Sequence, residues 1–469
     1  LDIGTTFSGS CFTSINDDKS IIHVVKWPEQ RADDTFEKTP TACLYSKQSR
    51  KLLKWGKAAL DHMIVHPDDD TVVLVKQFKL KLQNQFQKNK ANLQEEEHVY
   101  RTAAIDYLRE VDKYTCAQIK STVGPSFSKD STRYVLTVPA TWINQDNLAM
   151  QEMAIEAGLI REYDSKEKLL IINEAYAAAL FCEREYCVTD NCTSKLFKGQ
   201  RYLLCDAGGG TIDLATYECT GLDYKTSNDL LQNEHCQLAL ESGGNCGSTI
   251  LDQNMERYLR EQVFIGCIEE KILKSLVDQF VKDIKHYFGG DENRNNYIRP
   301  STRNTQSTET VATTLTTTEQ LRISHVDISK HVFDPVVETV TLLIGKQIKK
   351  SHTQIDTLFL LGGFGQSPYL YKKLHHEFIT STNMVSHLIV PEDGYRASMR
   401  GGIYFGIDNS EFLSRYINSA RPLDDRLNEY KHLVGIGKKK KKKNRKCVSK
   451  SNQPKQISTF SICLQLLPW

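Results

Sequence analysis

Two patterns of apolar residues alternate along this chain: short, almost unbroken apolar runs, and longer stretches with an apolar residue every three or four positions. Tyr134-Val135-Leu136-Thr137-Val138-Pro139-Ala140, Leu169 to Ile172, Leu203-Leu204-Cys205 and Thr357-Leu358-Phe359-Leu360-Leu361 are of the first kind. They predict strands buried on both faces. Asn147 to Ala157, closed by Gly158, is of the second kind, as are Phe333, Val336, Val337, Val340, Leu343, Ile344 and Ile348. They predict helices whose stripes pack against a core. Asn173 to Leu180 is helix-prone and rich in small residues, which lets two elements approach closely. Ser367-Pro368 is a helix start, with serine as the cap and proline in the first turn. Strands alternating with helices predict an α/β protein with mostly buried sheets.

One short phrase interrupts this pattern twice. Asp2-Ile3-Gly4-Thr5-Thr6-Phe7-Ser8-Gly9 follows the remnant of an apolar strand, and Leu203 to Leu214 repeats it as strand, Asp206, Ala207, Gly208-Gly209-Gly210, Thr211, Ile212, Asp213. A repeat spaced by a domain's length points to two related lobes rather than a solenoid. Glycines let the backbone turn tightly and present successive N–H groups to an anion. The threonine hydroxyls add neutral donors. An aspartate at each strand end suits a hydrated Mg²⁺, which takes few protein carboxylates. Two such hairpins facing each other would clamp a nucleotide's phosphates. The chain has neither a GxxxxGK[ST] loop nor a GxGxxG turn opening a helix. A third glycine turn, Gly362-Gly363-Phe364-Gly365, leads into the Ser367-Pro368 helix, whose N-terminus suits a base, ribose or α-phosphate. Glu174, at the start of its helix, is a candidate to hold a metal or a water; the alternative is a first-turn glutamate favoured by the helix dipole.

Composition adds limits. The chain has 469 residues, 40% of them apolar and 25% charged, with a formal net charge of +2. That is globular, and nothing in it calls for nucleic acid as a partner. No uninterrupted apolar run, Leu358 to Leu361 among them, approaches the ~18 residues of a membrane span. The thirteen cysteines are scattered without a CxxC pair; Cys182, Cys187 and Cys192 recur every five residues, a spacing that fits no common zinc motif. Unconnected thiols in a reducing cytosol are expected. The chain opens without methionine or a signal-type leader, as if cut just inside its first strand.

In this order, the phrases resemble the actin-like ATPase superfamily. Val138-Pro139-Ala140, Asn173-Glu174, Asp206 to Asp213 and Gly362-Gly363 resemble the ATPase domain of the 70-kDa heat-shock protein family. Gly362-Gly363-Phe364 with Ser367-Pro368, Glu241-Ser242-Gly243-Gly244 leading to Gly247-Ser248, and Leu321-Arg322-Ile323-Ser324 are similar to its atypical heat shock 70 kDa protein 12 branch. The resemblance implies two lobes built on ribonuclease-H-like sheets, with the nucleotide in the interlobe cleft. It implies a Mg²⁺-dependent ATP-binding and ATP-hydrolysing switch, or an atypical chaperone, with ATP or ADP and Mg²⁺ as cofactors. Carried over, Asp2 and Asp206 hold Mg²⁺ through water. Gly4, Thr5, Thr6, Gly208, Gly209, Gly210 and Thr211 cradle the phosphates, and Gly362, Gly363 and Phe364 form the adenosine motif. Glu174 and Asp213 orient the attacking water, and a lysine meets the γ-phosphate. Lys76 is the first choice for that lysine and Lys79 the rival; a solvated basic face is the bland alternative.

Some residues depart from the family. Phe364 stands where the chaperones carry serine, and Pro391-Glu392 where they carry Pro-Asp. Val281 to Phe288, with Lys282, Lys285 and His286, only echoes their adenine-clamping helix. The expected organisation is a first lobe over 1–190 and a second over 191–408, its last helix packing back on the first. A tail follows over 409–469, too short for a peptide-binding sandwich and lid. Residues 300–318, rich in Thr and Ser, are expected to be a surface insertion. The tail carries Lys438 to Lys443, either a solvated segment or a nuclear-localisation signal. The expected partners are the nucleotide and client or regulatory proteins, with a monomeric, cytoplasmic chain. The competing functions are a sugar-type small-molecule kinase on the same fold and a nucleotide-binding scaffold without turnover.

Overall fold

A computed structural model describes residues 1–14, 21–24, 26–30, 37–85, 95–125, 127–139, 142–186, 196, 199–219, 236–289, 296–299 and 320–417. Two five-stranded sheets organise it. In the first, the central strand Asp2–Ile3 pairs antiparallel with Phe7–Gly9, which pairs antiparallel with Thr39–Pro40. On its other side lie Tyr134–Val138 and then Leu169–Asn173, both parallel. The second sheet repeats this order and sense. Arg201–Ala207 pairs antiparallel with Ile212–Glu218, which pairs antiparallel with Cys236–Gly244; Ile355–Leu361 and Val385–Ile389 follow in parallel on the other side. The repeated phrase is thus the central hairpin of each sheet. Both leading aspartates stand on the central strand of their sheet, two residues before the glycine that opens the turn into its antiparallel neighbour.

The central strands of the second sheet are apolar on both faces because each face has its own core. Leu203 and Cys205 join a cluster with Val336, Val340 and Ile344 of the helix Asp334–Ser351. Tyr202 and Leu204 point the other way, into a cluster with Ala175, Ala178 and Phe181 of the helix Glu174–Tyr186. Ile355, Leu358 and Leu360 alternate with Phe359 and Leu361 between the same two clusters. Each fully buried leucine contributes roughly 1.5–3 kcal/mol relative to exposure. The final helix, Ala397–Ile417, packs on Glu174–Tyr186 and on Tyr134–Val138 of the first sheet. A Cβ at Gly401 would clash with the Ala177 backbone, so the two helices cross almost backbone to backbone.

The predicted strands are present, and the predicted helix ending at Gly158 runs over Asn144–Ala157. It stops with Gly158 at φ 80°, a left-handed C-cap that glycine adopts freely. The Ser367 hydroxyl accepts from the Leu370 N–H and opens Pro368–His375. Glu95–Val123, where the apolar pattern predicts no element, is a 29-residue helix whose buried stripe of Ala104, Tyr107, Leu108 and Val111 shares a core with Ile3, Tyr134 and Leu136 of the first sheet. Its dense charges hide that stripe from an inspection of apolar runs. Around the expected adenine-clamping segment, the helix is Glu270–Asp283 and ends before Lys285. Lys285 pairs with Asp252 at 2.7 Å, and Phe288 stacks on His325 and Phe333. Cys182 is a buried free thiol; Cys187, Cys192, the 300–318 stretch and the Lys438 to Lys443 run lie outside the described residues. No helix among the described residues is long and apolar enough to cross a membrane.

Candidate functional site

The tips of the two central hairpins meet. A Cβ on Gly209 would overlap Thr6 Oγ1, and one on Gly210 would lie 2.8 Å from Thr5 Cβ. Only glycine permits this approach. The first turn is braced from behind: Thr41 donates its N–H to the Thr6 carbonyl at 2.8 Å and its hydroxyl to the Gly4 carbonyl at 2.8 Å. In the second turn, the N–H groups of Gly247, Ser248 and Thr249 donate to the carbonyls of Gly210, Gly208 and Gly209. In a trans peptide the N–H opposes the carbonyl. The amides of Gly209, Gly210 and Thr211 therefore point away from that segment, as a lining of successive donors that favours an anion.

Four carboxylates and two lysines surround this contact. Asp2 is buried; Lys38 Nζ donates to its Oδ2 at 2.8 Å and the Thr137 hydroxyl to its Oδ1 at 2.8 Å. Burial pushes the Asp2 carboxyl up, but the charges of Lys38 and Lys79 outweigh it, with hydrogen bonds from Lys38 and Thr137, and hold it down at about 2. Asp206 accepts from the Ser398 hydroxyl at 3.1 Å. Burial, then the charges of Glu174 and Asp2, pushes it up to about 7. Asp213 faces Asp206 across the hairpin. Burial, then Glu174 and Asp206, raises it to about 8. Glu174 is raised by burial and by Asp2, against the opposing pull of Lys79, whose Nζ is bonded to Glu174 Oε1. Three of the four carboxyls, Asp206, Asp213 and Glu174, are thus raised by burial and by the charge of neighbouring carboxylates, and the cluster is short of positive charge.

Two buried polar atoms here have no hydrogen-bond partner: Thr6 Oγ1 and Asp213 Oδ1. Burying such atoms unpaired is costly; the Thr6 hydroxyl can donate to a ligand oxygen, and Asp213 Oδ1 can accept from a water. Among the described residues, no three His, Cys, Asp or Glu side chains converge closely enough to cage a metal ion, and both Asp2 oxygens are already engaged. The donor set fits a hydrated Mg²⁺ arriving with phosphates and facing Asp206, since Mg²⁺ keeps several waters and uses few carboxylates.

The sequence-derived residues thus largely converge. Gly4, Thr5, Thr6, Gly208, Gly209, Gly210, Thr211, Asp2, Asp206, Asp213 and Glu174 all belong to the hairpin contact or its rim. Gly362, at φ 77°, lies against Asp206, where a Cβ would come within 2.5 Å of Oδ1. Gly363 beside it faces open space. Phe364 is turned inward, buried in the core of the second sheet. Lys76 is exposed at the end of the strand Val72–Lys76, whereas Lys79 is 4% exposed and sits in the cluster. Lys38, Thr137 and Ser398 join the site although no motif marks them. Lys38 and Ser398 sit in unremarkable local sequence and meet the aspartates only through the tertiary fold. Thr137 was visible as the one polar position in an apolar strand.

No protein-family model matches the chain. It is 23% identical over 491 aligned residues to Heat shock 70 kDa protein 12A of Mus musculus, and equally to that of Homo sapiens, spanning 87% of this chain and 69% of those relatives. Heat shock 70 kDa protein 12B of Homo sapiens is 24% identical over 314 residues, 55% of this chain and 44% of that protein. Among solved structures, the chain is similar to MreB5 of Spiroplasma citri bound to ADP, with a TM-score of 0.53 and 16% identity. The match covers 90% of this chain and 98% of that one. The curated relatives are those of the heat shock 70 kDa protein 12 branch that the motifs resemble, and the fold is the two-lobed actin-like one.

Proposed function

We propose that this chain, an actin-fold relative of the heat shock 70 kDa protein 12 branch, binds ATP between its two hairpins and hydrolyses it slowly. Lobe movement then acts as the signal of a nucleotide-controlled switch or atypical chaperone. The observation that carries this reading is the meeting of the hairpin tips, Gly209 and Gly210 on Thr6 and Thr5, within a ring of buried carboxylates. Similarity to an ADP-bound actin-like protein supports it.

In this reading the amides of Gly209, Gly210 and Thr211 and the hydroxyls of Thr5 and Thr6 take phosphate oxygens, with Gly4 and Gly208 allowing the turns. Gly362 and Gly363 face the adenosine. Lys79 is the lysine that meets the γ-phosphate, because it lies in the cluster and Lys76 does not. Glu174 and Asp213 orient the attacking water. Asp213 Oδ1, buried and unpartnered, accepts its proton as the water oxygen bonds to phosphorus and the bond to the ADP oxygen breaks. Bound Mg²⁺ supplies positive charge to the phosphate oxygens, with Asp206 holding its water shell. Asp2 fixes Lys38 beside that site. Catalysis is positioning and charge stabilisation.

The test is ATP binding and phosphate release with Mg²⁺, with and without a panel of sugars, for wild type and Asp206→Asn. Release without an added acceptor, abolished in the variant, is the expected result. Turnover only with a sugar would make the chain a small-molecule kinase. Tight binding without release would make it a scaffold.

A further inference from the structure

Glu241 lies on the edge strand of the second sheet, Cys236–Gly244. It is half-buried, and its carboxylate reaches across to the first sheet. Oε2 accepts from Asn173 Nδ2 at 2.5 Å, and Oε1 accepts from the Tyr217 hydroxyl at 3.2 Å. Asn173 is the last residue of the edge strand Leu169–Asn173. Its other amide atom, Oδ1, accepts from the N–H groups of Ala175 at 2.7 Å and Tyr176 at 3.3 Å. Those N–H groups belong to the first turn of the Glu174 helix, ahead of its own carbonyls, so Asn173 acts as its cap. One amide side chain thus joins the start of that helix to an edge strand of the other sheet, and only this orientation of the amide satisfies both ends.

The same strand continues to the second carboxylate of the site. Ser242 is tied to Gln347 at 2.6 Å, and a Cβ at Gly243 would lie 3.3 Å from Asp213 Oδ1. Glu241 and Gly243 are two residues apart and share a face of the strand. Residues two apart on one strand therefore hold Asn173, next to Glu174, and lie beside Asp213.

We propose that Glu241 is a positioning residue: by holding Asn173 it sets the first turn of the Glu174 helix, and so the placement of Glu174 relative to Asp213. The catalytic part of this rests on the hydrolysis reading above; the placement of the helix start does not. Without the carboxylate, Asn173 Nδ2 loses its partner and the amide is free to turn, taking the cap with it. A displacement of about 1 Å in a group that orients a reactant costs on the order of 100-fold in rate. Glutamine at 241 keeps an acceptor oxygen for Asn173.

The experiment compares the full chain with Glu241→Ala and Glu241→Gln, reading phosphate release, ADP affinity and amide hydrogen exchange. In Glu241→Ala, exchange at Ala175 and Tyr176 is expected to accelerate at least tenfold while amides of the Arg201–Ala207 strand keep their protection. The turnover rate is expected to fall roughly 10- to 100-fold, with ADP affinity within twofold of wild type. Glu241→Gln restores both exchange and turnover. Unchanged exchange in Glu241→Ala overturns the proposal, as does a glutamine variant no better than alanine, or an ADP affinity that falls in step with turnover. If the wild type itself releases no phosphate, the hydrolysis reading fails and exchange at the two amides alone decides the placement.

Discussion

Replacing Lys79 with methionine removes the buried cation from Glu174 while keeping a side chain of similar length. Both side chains of the pair are largely enclosed, 4% and 12% exposed. Leaving one member of such a pair behind typically costs about 3–5 kcal/mol. Glu174 has an escape, since it can take up a proton. For a carboxyl that titrates near 4.5 when unfolded, protonation at pH 7.5 costs about 4 kcal/mol, and each pH unit downward returns about 1.4 kcal/mol. The Glu174 carboxyl is already raised in the folded protein by burial and by Asp2, and losing Lys79 raises it further. The folded variant then binds more protons than its unfolded state at neutral pH, so its stability falls as pH rises above about 4.5. Lys79→Met is expected to lose about 3–4 kcal/mol at pH 7.5 and about 1–1.5 kcal/mol at pH 5.5. Urea unfolding without nucleotide, followed by tryptophan fluorescence, measures this, because Trp27 and Trp142 are buried in the core of the first sheet. The double variant Lys79→Met/Glu174→Gln should recover most of the loss, since it leaves no buried charge behind. Equal losses at the two pH values, a loss below about 1 kcal/mol at pH 7.5, or a double variant no more stable than the single one would refute the reasoning.

The other predictions concern geometry and a distant histidine. Gly209→Ala places a methyl group onto Thr6 and forces the hairpin tips apart, so it should weaken nucleotide binding at least tenfold by calorimetry. Gly345→Ala, away from the hairpins in the helix Asp334–Ser351, where the added methyl meets only Phe378 at 4.0 Å, should change affinity less than twofold. His23 is pushed down to about 4 by burial and then by Arg396 and Arg400, with Asp393 opposing and Glu37 at 3.7 Å. Because its folded value lies below its unfolded one, the unfolded chain binds the proton first. Stability is full above about pH 6.5 and is lost as pH falls towards 4. The full shift would be worth about 3 kcal/mol; discounted for partial solvent access, about 1–2 kcal/mol should separate wild type from His23→Gln between pH 7 and pH 4.5. A parallel pH dependence in the two proteins would show that His23 carries none of it.

The element pattern was legible in the sequence wherever burial imposes a local rule. Leu203-Leu204-Cys205 and Leu358 to Leu361 are apolar without alternation because each strand is covered on both faces, and such runs show it. Gly158 and Ser367-Pro368 mark helix ends because caps depend on neighbouring residues. The doubled Asp-Gly-Thr phrase carried the duplication of the fold, and the structure returns it as two sheets of identical strand order. The helix Glu95–Val123 was less visible because its buried face mixes alanine, tyrosine and threonine with surrounding charge.

Sequence by itself therefore determined the α/β class, the two hairpins and the kinds of atom each presents, since turns and strand burial are set by residues close along the chain. Only the tertiary structure decided which charges meet. Lys79 rather than Lys76 reaches Glu174, 95 residues on, because the helix Phe78–Gln85 turns it inward, while Lys76 ends an exposed edge. Lys38 reaches Asp2, Ser398 reaches Asp206, and Glu241 reaches Asn173 by the same logic. Electrostatic and hydrogen-bond partners act over a few ångströms in space and leave no periodic trace in sequence, so their pairing is a property of the folded chain.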